Sequence, residues 1–324
     1  MKHWKLFLLC VGFASAANAK DPSVNIFPEN PWFTGPLISP SGHVTPKGTV
    51  NIEPYFTVLD SYGDYDKHWK LVKDDHSLIS NIVNIYTTIG LTKWMDFAIT
   101  PTVLYNVCQG KQAFFFSNLE AGFDFQLLTD TQENNLPGLK LGIRQSFPIG
   151  KYDHLNPNMH EVDIGSDGTY KTLVLLCASR LFHLRGDVWL NPRFSVGGHI
   201  CTRVHVKGYN IYGGAADTDG YAYPPPQLWF DLSFELSLSR HWALACDLVN
   251  GYDAKRKFKG NPGTDSTGAA VRMTKGSSAT VWLAPAVEYN WNDNIGIITG
   301  AWFTITGRLS EAFASWQSGF NYVF

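Results

Sequence analysis

The chain has 324 residues, of which 44% are hydrophobic, 14% aromatic and only 17% charged, with a formal net charge of -2. The near-neutral charge gives no support for nucleic-acid binding, and the aromatic load argues against disorder. Past the N-terminus no apolar run approaches the ~18 residues that a membrane-spanning helix needs, so a soluble β protein and a membrane β-barrel both remain.

Lys2 and Lys5 precede an apolar stretch over 6–14, and Ala17-Asn18-Ala19 offers a cleavage site. Residues 1–19 therefore read as a secretory signal peptide, and Cys10 would leave with it. Cys108, Cys177, Cys201 and Cys246 remain, too few for a disulfide-stapled scaffold, and read as small hydrophobes. Residues 20–48 carry Pro22, Pro28, Pro31, Pro36, Pro40 and Pro46, which break any regular ladder. This segment is expected to be either a periplasmic leader or a plug folded into a lumen.

From Thr49 onward, side chains alternate with the two-residue period of strands that have two different faces. Twelve strands are predicted, over 49–60, 79–91, 95–107, 113–128, 138–149, 169–181, 188–206, 226–239, 242–252, 279–290, 295–306 and 311–324. The cleanest sets Leu228, Phe230, Leu232, Phe234, Leu236 and Leu238 against Trp229, Asp231, Ser233, Glu235 and Ser237. Connections after strands 2, 4, 6, 8 and 10 are mostly short. Those after strands 1, 5, 7 and 9 are long and polar, over about 61–78, 150–168, 207–225 and 253–278. An even number of alternating strands with loop length sorted by parity is the pattern of an outer-membrane barrel. A soluble sandwich alternates too, but nothing in it sorts loops this way. The expected fold is all-β: an antiparallel up-and-down transmembrane β-barrel of about twelve strands, over 49–324, in a bacterial outer membrane.

Trp94, Trp189, Trp242 and Trp291 lie at or beside the short turns. There an indole can bury its ring and wet its N–H, so all four are expected in an interfacial girdle. In the final strand Ala312, Ala314, Trp316, Phe320, Tyr322 and Phe324 alternate with Ser315, Gln317, Gly319 and Asn321. This resembles the terminal signature of bacterial outer-membrane proteins, and the resemblance implies that the barrel-assembly machinery reads Phe320, Tyr322 and Phe324.

The inward face is expected to carry Glu53, Asp96, Glu120, Asp124, Asp231, Glu235, Asp247 and Glu288, with Lys140, Arg144, Arg193, Arg203, His199 and His205 on the basic side. Glu120 and Asp124 neighbour Lys140 and Arg144, and Arg193 and Arg203 neighbour Asp231 and Glu235. Opposite charges across strands stabilise by roughly 0.2–1 kcal/mol, and an unpaired charge in a narrow lumen is costly. The lumen reads either as cross-braced by ion pairs or as a conduit whose acidic excess favours neutral or cationic solutes. Twelve strands enclose little space, and Tyr55, Tyr86, Trp229, Trp282 and Trp302 point inward, which suits small or amphipathic molecules.

The strand end Phe147-Pro148-Ile149-Gly150-Lys151-Tyr152 and the turn Leu91-Thr92-Lys93-Trp94-Met95-Asp96, with the layout over 49–324, resemble the phenol-degradation-pathway (MetA-pathway) outer-membrane transporter family. The resemblance implies a channel for hydrophobic or aromatic small molecules and supplies no catalytic motif. The Pro-rich leader departs from it.

His199 and Cys201 share one face of a strand, but Arg203 separates them from His205, so no metal site is expected. A membrane lipid hydrolase needs a paired Ser and His with an orienting group. His76-Ser77 are adjacent, and His154 and His160 lack a nucleophile, so neither enzymatic activity nor a cofactor is expected. Lys255, Arg256, Lys257 and Lys259 form a cationic run that would face lipopolysaccharide phosphates, or be simply solvated. The expected function is passive passage of small hydrophobic or aromatic molecules. The alternatives are a structural or host-facing surface protein with a blocked lumen and, less favoured, a lipid hydrolase. Expected partners are outer-membrane lipids and lipopolysaccharide, the assembly machinery and a small-molecule solute.

Overall fold

Period-two alternation becomes strands that close on themselves. The computed structural model describes residues 31–131 and 136–324. The expected signal peptide at 1–19, and the leader up to residue 30, lie outside the described residues. The described strands are β1 (Val50–Tyr65), β2 (Leu71–Gly90), β3 (Met95–Cys108), β4 (Lys111–Leu128), β5 (Gly138–Pro148), β6 (Lys171–Ser179), β7 (Phe182–Arg185), β8 (Val188–Cys201), β9 (Val204–Lys207), β10 (Asp219–Tyr223), β11 (Gln227–Ser237), β12 (Trp242–Asp253), β13 (Lys257–Asn261), β14 (Ser278–Asn290), β15 (Ile295–Arg308) and β16 (Ser310–Val323).

Twelve of them form one antiparallel ring in the order β11-β12-β14-β15-β16-β1-β2-β3-β4-β5-β6-β8, with β8 pairing back to β11. The first and last strands are neighbours, from Asn51 opposite Val323 to Tyr65 opposite Ser310. Closure satisfies the backbone of every ring strand within the sheet, the condition for crossing hydrocarbon. The outer wall is apolar: on β11, Leu228, Phe230, Leu232 and Phe234 are 42–53% exposed, while Trp229, Asp231, Ser233, Glu235 and Ser237 are buried inside. A continuous greasy exterior of this kind needs lipid against it.

Three features differ from the sequence reading. The predicted strand over 188–206 ends at Cys201; the chain breaks at Thr202 and Arg203 and re-enters as β9, in a separate sheet ordered β13-β10-β9 at the long-loop end. The expected loop over 61–78 is mostly hairpin, because β1 and β2 run on to Tyr65 and Leu71. In β4 a register shift between Pro101 and Val103 of β3 places Ser117 and Asn118 both inside. Parity reverses beyond it, so Phe116 faces outward rather than into the lumen.

Residues 34–45 lie inside the ring, mostly buried and outside every strand. Leu37 and Ile38 join the apolar cluster of the interior. The fit is close: a side chain at Gly90 would strike the Pro46 and Thr45 carbonyls, and one at Gly42 would strike the backbone at Gly138 and Ser179.

Candidate functional site

Adjacent strands project their inward residues into two charged clusters, and residues 34–45 run between them. On β4 and β5, Asp124 accepts from Arg144 Nε and Nη2 at 3.0 and 2.6 Å and pairs with Lys140 Nζ at 3.2 Å. Glu120 is the looser partner, 3.5 Å from Arg144 Nη1. The expected Arg144–Glu120 brace is present, but Asp124 is the carboxylate that two cations grip. On β8 and β11, Arg193 Nε and Nη2 donate to Glu235 Oε2 at 2.9 and 2.5 Å, and Asn191 Nδ2 donates to the same oxygen at 2.7 Å.

Three further inner carboxylates, Glu288, Asp247 and Asp96, meet backbone N–H groups rather than cations, whereas Glu53 accepts from the Asn51 side chain at 2.6 Å. Glu288 accepts from Thr34 N and Gly35 N at 2.6 and 3.3 Å, Asp247 from Ser39 N at 3.0 Å, and Asp96 from Thr45 N at 2.6 Å. Val44 N donates to Gln126 Oε1 at 2.8 Å and Gly42 N to Ser179 Oγ at 3.0 Å. In the other direction Arg193 Nη1 and Gln126 Nε2 donate to the carbonyls of Ser39 and Gly42, at 3.2 and 2.8 Å. His43 Nε2 lies 2.6 Å from Asp130 Oδ1. The segment is thus tied to β3, β4, β6, β8, β12 and β14, around most of the ring, which only a path through the interior allows.

Next to it the interior becomes aromatic. Tyr55 and Tyr86 meet edge to face at 5.4 Å between centroids, Trp282 and Trp302 at 6.3 Å, and Trp302 and Phe313 at 4.9 Å. Trp229 stands beside His199, whose Nδ1 is 3.1 Å from Gln227 Oε1. Toward the long loops the barrel interior is covered by a second apolar cluster of Val162, Ile164, Val204, Val206, Ile211, Tyr212 and Met273. Arg256 is sealed into this cover, donating to the carbonyls of Met273 and Tyr212 at 3.2 and 3.0 Å. Burial pulls its guanidinium down to about 10.

Of the expected lumen residues, Glu53, Asp96, Asp124, Lys140, Arg144, Arg193, His199, Asp231, Glu235, Asp247 and Glu288 are buried within the ring, and Glu120 is partly so. Arg203 and His205 are not inside it. Arg203 lies past the end of β8 over the ring of Tyr221, 4.8 Å from its centroid, and His205 on β9 is 2.8 Å from Asp219. The strand break at Thr202 carries both out of the barrel. Arg256 is buried rather than presented with Lys255, Lys257 and Lys259, which are exposed. Trp94, Trp242 and Trp291 are about half exposed, whereas Trp189, expected in the same girdle, is buried on the inner parity of β8 beside His183. Phe320, Tyr322 and Phe324 face outward. The wall-bound path of residues 34–45 was the feature that composition alone could not locate.

No family model matches the sequence, and no curated protein matches it. Among solved structures, an outer membrane channel from Pseudomonas putida F1 matches with a TM-score of 0.63 at 10% identity, over 87% of this chain and 97% of that one. The NanC porin matches with a TM-score of 0.39 at 8% identity, over 82% and 98%. OmpT, an outer membrane protein of Vibrio cholerae, matches with a TM-score of 0.33 at 7% identity, over 85% and 97%. Likeness at such identities is one of fold alone. One expectation is corrected on that ground: a barrel shared this distantly with several different proteins says nothing about chemistry, so the chain is not assigned as a non-enzyme and its enzymatic status is open. What the geometry and the Pseudomonas match establish together is a closed twelve-stranded antiparallel barrel of the bacterial outer-membrane type.

Proposed function

We propose that this barrel is an outer-membrane channel or transporter through which small hydrophobic or aromatic molecules pass, with residues 31–48 as a plug that must move aside. The observation that carries this reading is the manner in which residues 34–45 are held. They pack inside the barrel against Tyr55, Tyr86, Trp229, Trp282 and Trp302, and belong to no strand. Their ties are separate hydrogen bonds, worth about 0.5–1.5 kcal/mol net between neutral groups and about 1.5–3 kcal/mol where a carboxylate or guanidinium takes part, which can be exchanged a few at a time where a strand ladder could not. An aromatic interior favours solutes with an apolar face over small inorganic ions. The fold match to a protein described as an outer membrane channel supports the general role.

Planar-bilayer conductance tests it, using the full chain and a variant lacking residues 34–45. The reading expects a nearly silent full chain and discrete openings in the variant. A specific observation favours a second reading: the long loops bury Val162, Ile164, Tyr212 and Met273 over the other end of the passage, as a structural or host-facing protein with a blocked lumen would. Silence of both proteins would decide for it.

A further inference from the structure

Two groups of residues that the sequence reading separated come together outside the barrel. In the sheet of β9, β10 and β13, His205 is opposite Tyr221, and Tyr221 is opposite Lys259. Lys207 is opposite Asp219, and Lys257 stands two residues before Lys259 on β13. Arg203 reaches the same Tyr221 ring. These side chains occupy the exposed set of the alternation, while Val204, Val206 and Ala222 occupy the buried set. Arg203, Lys207, Lys257 and Lys259 thus share one face with His205, against the single carboxylate Asp219 among the described strand residues of that face.

The direction of this face follows from what its reverse side touches. The buried set belongs to one apolar cluster with Leu78 of β2 and Cys108 of β3. In the ring β2 and β3 stand across from β8, β11 and β12, the strands that lead into β9, out of β10 and into β13. The apolar side therefore looks across the mouth, and the cationic side looks outward, above the outer wall of β8, β11 and β12. Its position follows from the chain: Ile200, 64% exposed on the lipid-facing wall, is three residues before Arg203, so this face begins just beyond the apolar exterior. A face that starts where a lipid-facing wall ends stands next to the headgroups of the outer leaflet.

We infer that the outward face of the β9–β10–β13 sheet, carrying Arg203, His205, Lys207, Lys257 and Lys259, binds the phosphate groups of lipopolysaccharide standing beside the barrel. The inference rests on the outer-membrane reading above. Cations spaced across neighbouring strands and along one strand can take separate phosphates of a single molecule, and Arg203, held against Tyr221, is already oriented for a forked contact.

The test titrates the full chain, folded in detergent, with a deep-rough lipopolysaccharide and reads bound molecules by native mass spectrometry at low and high salt. The expected result is saturable binding that R203E/K259E weakens by at least about tenfold and that salt weakens similarly. K67E/K70E, at the exposed turn between β1 and β2, should change it by no more than about twofold. Heat-modifiable gel migration, required of every variant, reports the barrel separately; its loss in the wild type would sink the outer-membrane reading and not this one alone. Equal binding by R203E/K259E and wild type would overturn the inference, as would equal weakening by K67E/K70E. Undiminished binding of dephosphorylated lipopolysaccharide would overturn the assignment to phosphate. Tighter binding of heparin than of lipopolysaccharide would transfer the face to a soluble polyanion and overturn the assignment to the leaflet.

Discussion

Replacing Arg193 by methionine removes three hydrogen bonds from the barrel interior: two to Glu235 Oε2 and one to the Ser39 carbonyl. Methionine is unbranched and adaptable, so the packing of the stem is largely retained, and the change is mainly one of charge. Glu235 is fully buried, and breaking a buried pair by removing one partner costs ~3–5 kcal/mol. The bond to Ser39 comes from a charged donor and is worth about 1.5–3 kcal/mol, so the segment should lift locally about 10- to 150-fold more often. It should not leave, because Thr34, Gly35, Ser39, Gly42, Val44 and Thr45 keep their own bonds to the wall. Urea unfolding of the folded barrel, followed by tryptophan fluorescence, reads the global cost. Bilayer recordings read the local one as brief openings rather than a steady open level. Adding E235Q removes the stranded charge, so R193M/E235Q should recover most of the stability while the brief openings persist. The reasoning fails if R193M lies within about 1 kcal/mol of wild type, or if E235Q deepens the loss.

Asp124 should matter more than Glu120: D124N strands Lys140, leaves Arg144 only the looser Glu120, and should cost ~3–5 kcal/mol in the same unfolding assay, against roughly 1 kcal/mol for E120Q. In the loop cover, the Thr264 backbone N–H donated to Asp217 holds that carboxyl below its ordinary value of 3.8. A carboxylate whose folded pKa is depressed stabilises above the unfolded value and loses that contribution as pH falls through the folded one. Amide hydrogen exchange over 262–270, corrected for intrinsic rate, should therefore be flat from pH 7 to 4.5 and rise below the ordinary carboxylate range, and D217N should be fast throughout. Lipids brominated near the headgroup should lose most of their quenching in W94F/W242F/W291F and keep it in W189F, since Trp189 is turned inward.

The ring was legible because its wall obeys one rule along most of its length, the shift at Ser117 and Asn118 of β4 excepted. Asp231, Ser233 and Glu235 could be set inside β11 from sequence, since a polar face opposite Phe230, Leu232 and Phe234 has no other place in lipid. The errors came from places where period two persists but its meaning changes. Arg203 and His205 continue the parity of Arg193 and His199 past Thr202, yet β9 belongs to another sheet whose even residues cover the mouth. A two-residue period fixes which side chains share a face and not which body that face belongs to. Two other misplacements were readable. Trp189 shares the parity of Asn191 and Arg193, a stronger signal than its nearness to a turn. Arg256 and Phe258 alternate with Lys255, Lys257 and Lys259, the pattern of a half-buried strand rather than a solvated run. The path of residues 34–45 left no period at all, because a prolyl peptide tied by single hydrogen bonds repeats nothing.

That peptide changes what the acidic excess of the inner wall means. Counted as side chains, Glu53, Asp96, Glu120, Asp124, Asp231, Glu235, Asp247 and Glu288 outnumber Lys140, Arg144, Lys171 and Arg193 two to one, which reads as a conduit biased toward cations. Counted with their partners, the carboxylates divide by role. Asp124 and Glu235 are neutralised by guanidinium and ammonium groups on the wall itself. Asp96, Asp247 and Glu288 instead accept the backbone N–H groups of Thr45, Ser39, Thr34 and Gly35. Peptide donors carry no net charge, so the excess appears in a residue count while its oxygens are partly satisfied in space. The prolines sharpen the arrangement, since Pro36 and Pro40 have no N–H to offer and leave the donors at 34, 35, 39, 42, 44 and 45 to set the register of the segment against the wall. Asp96, Asp247 and Glu288 are therefore first the dock of this peptide, and under the proposed channel reading they would act on a passing solute only in the interval when the peptide has moved away.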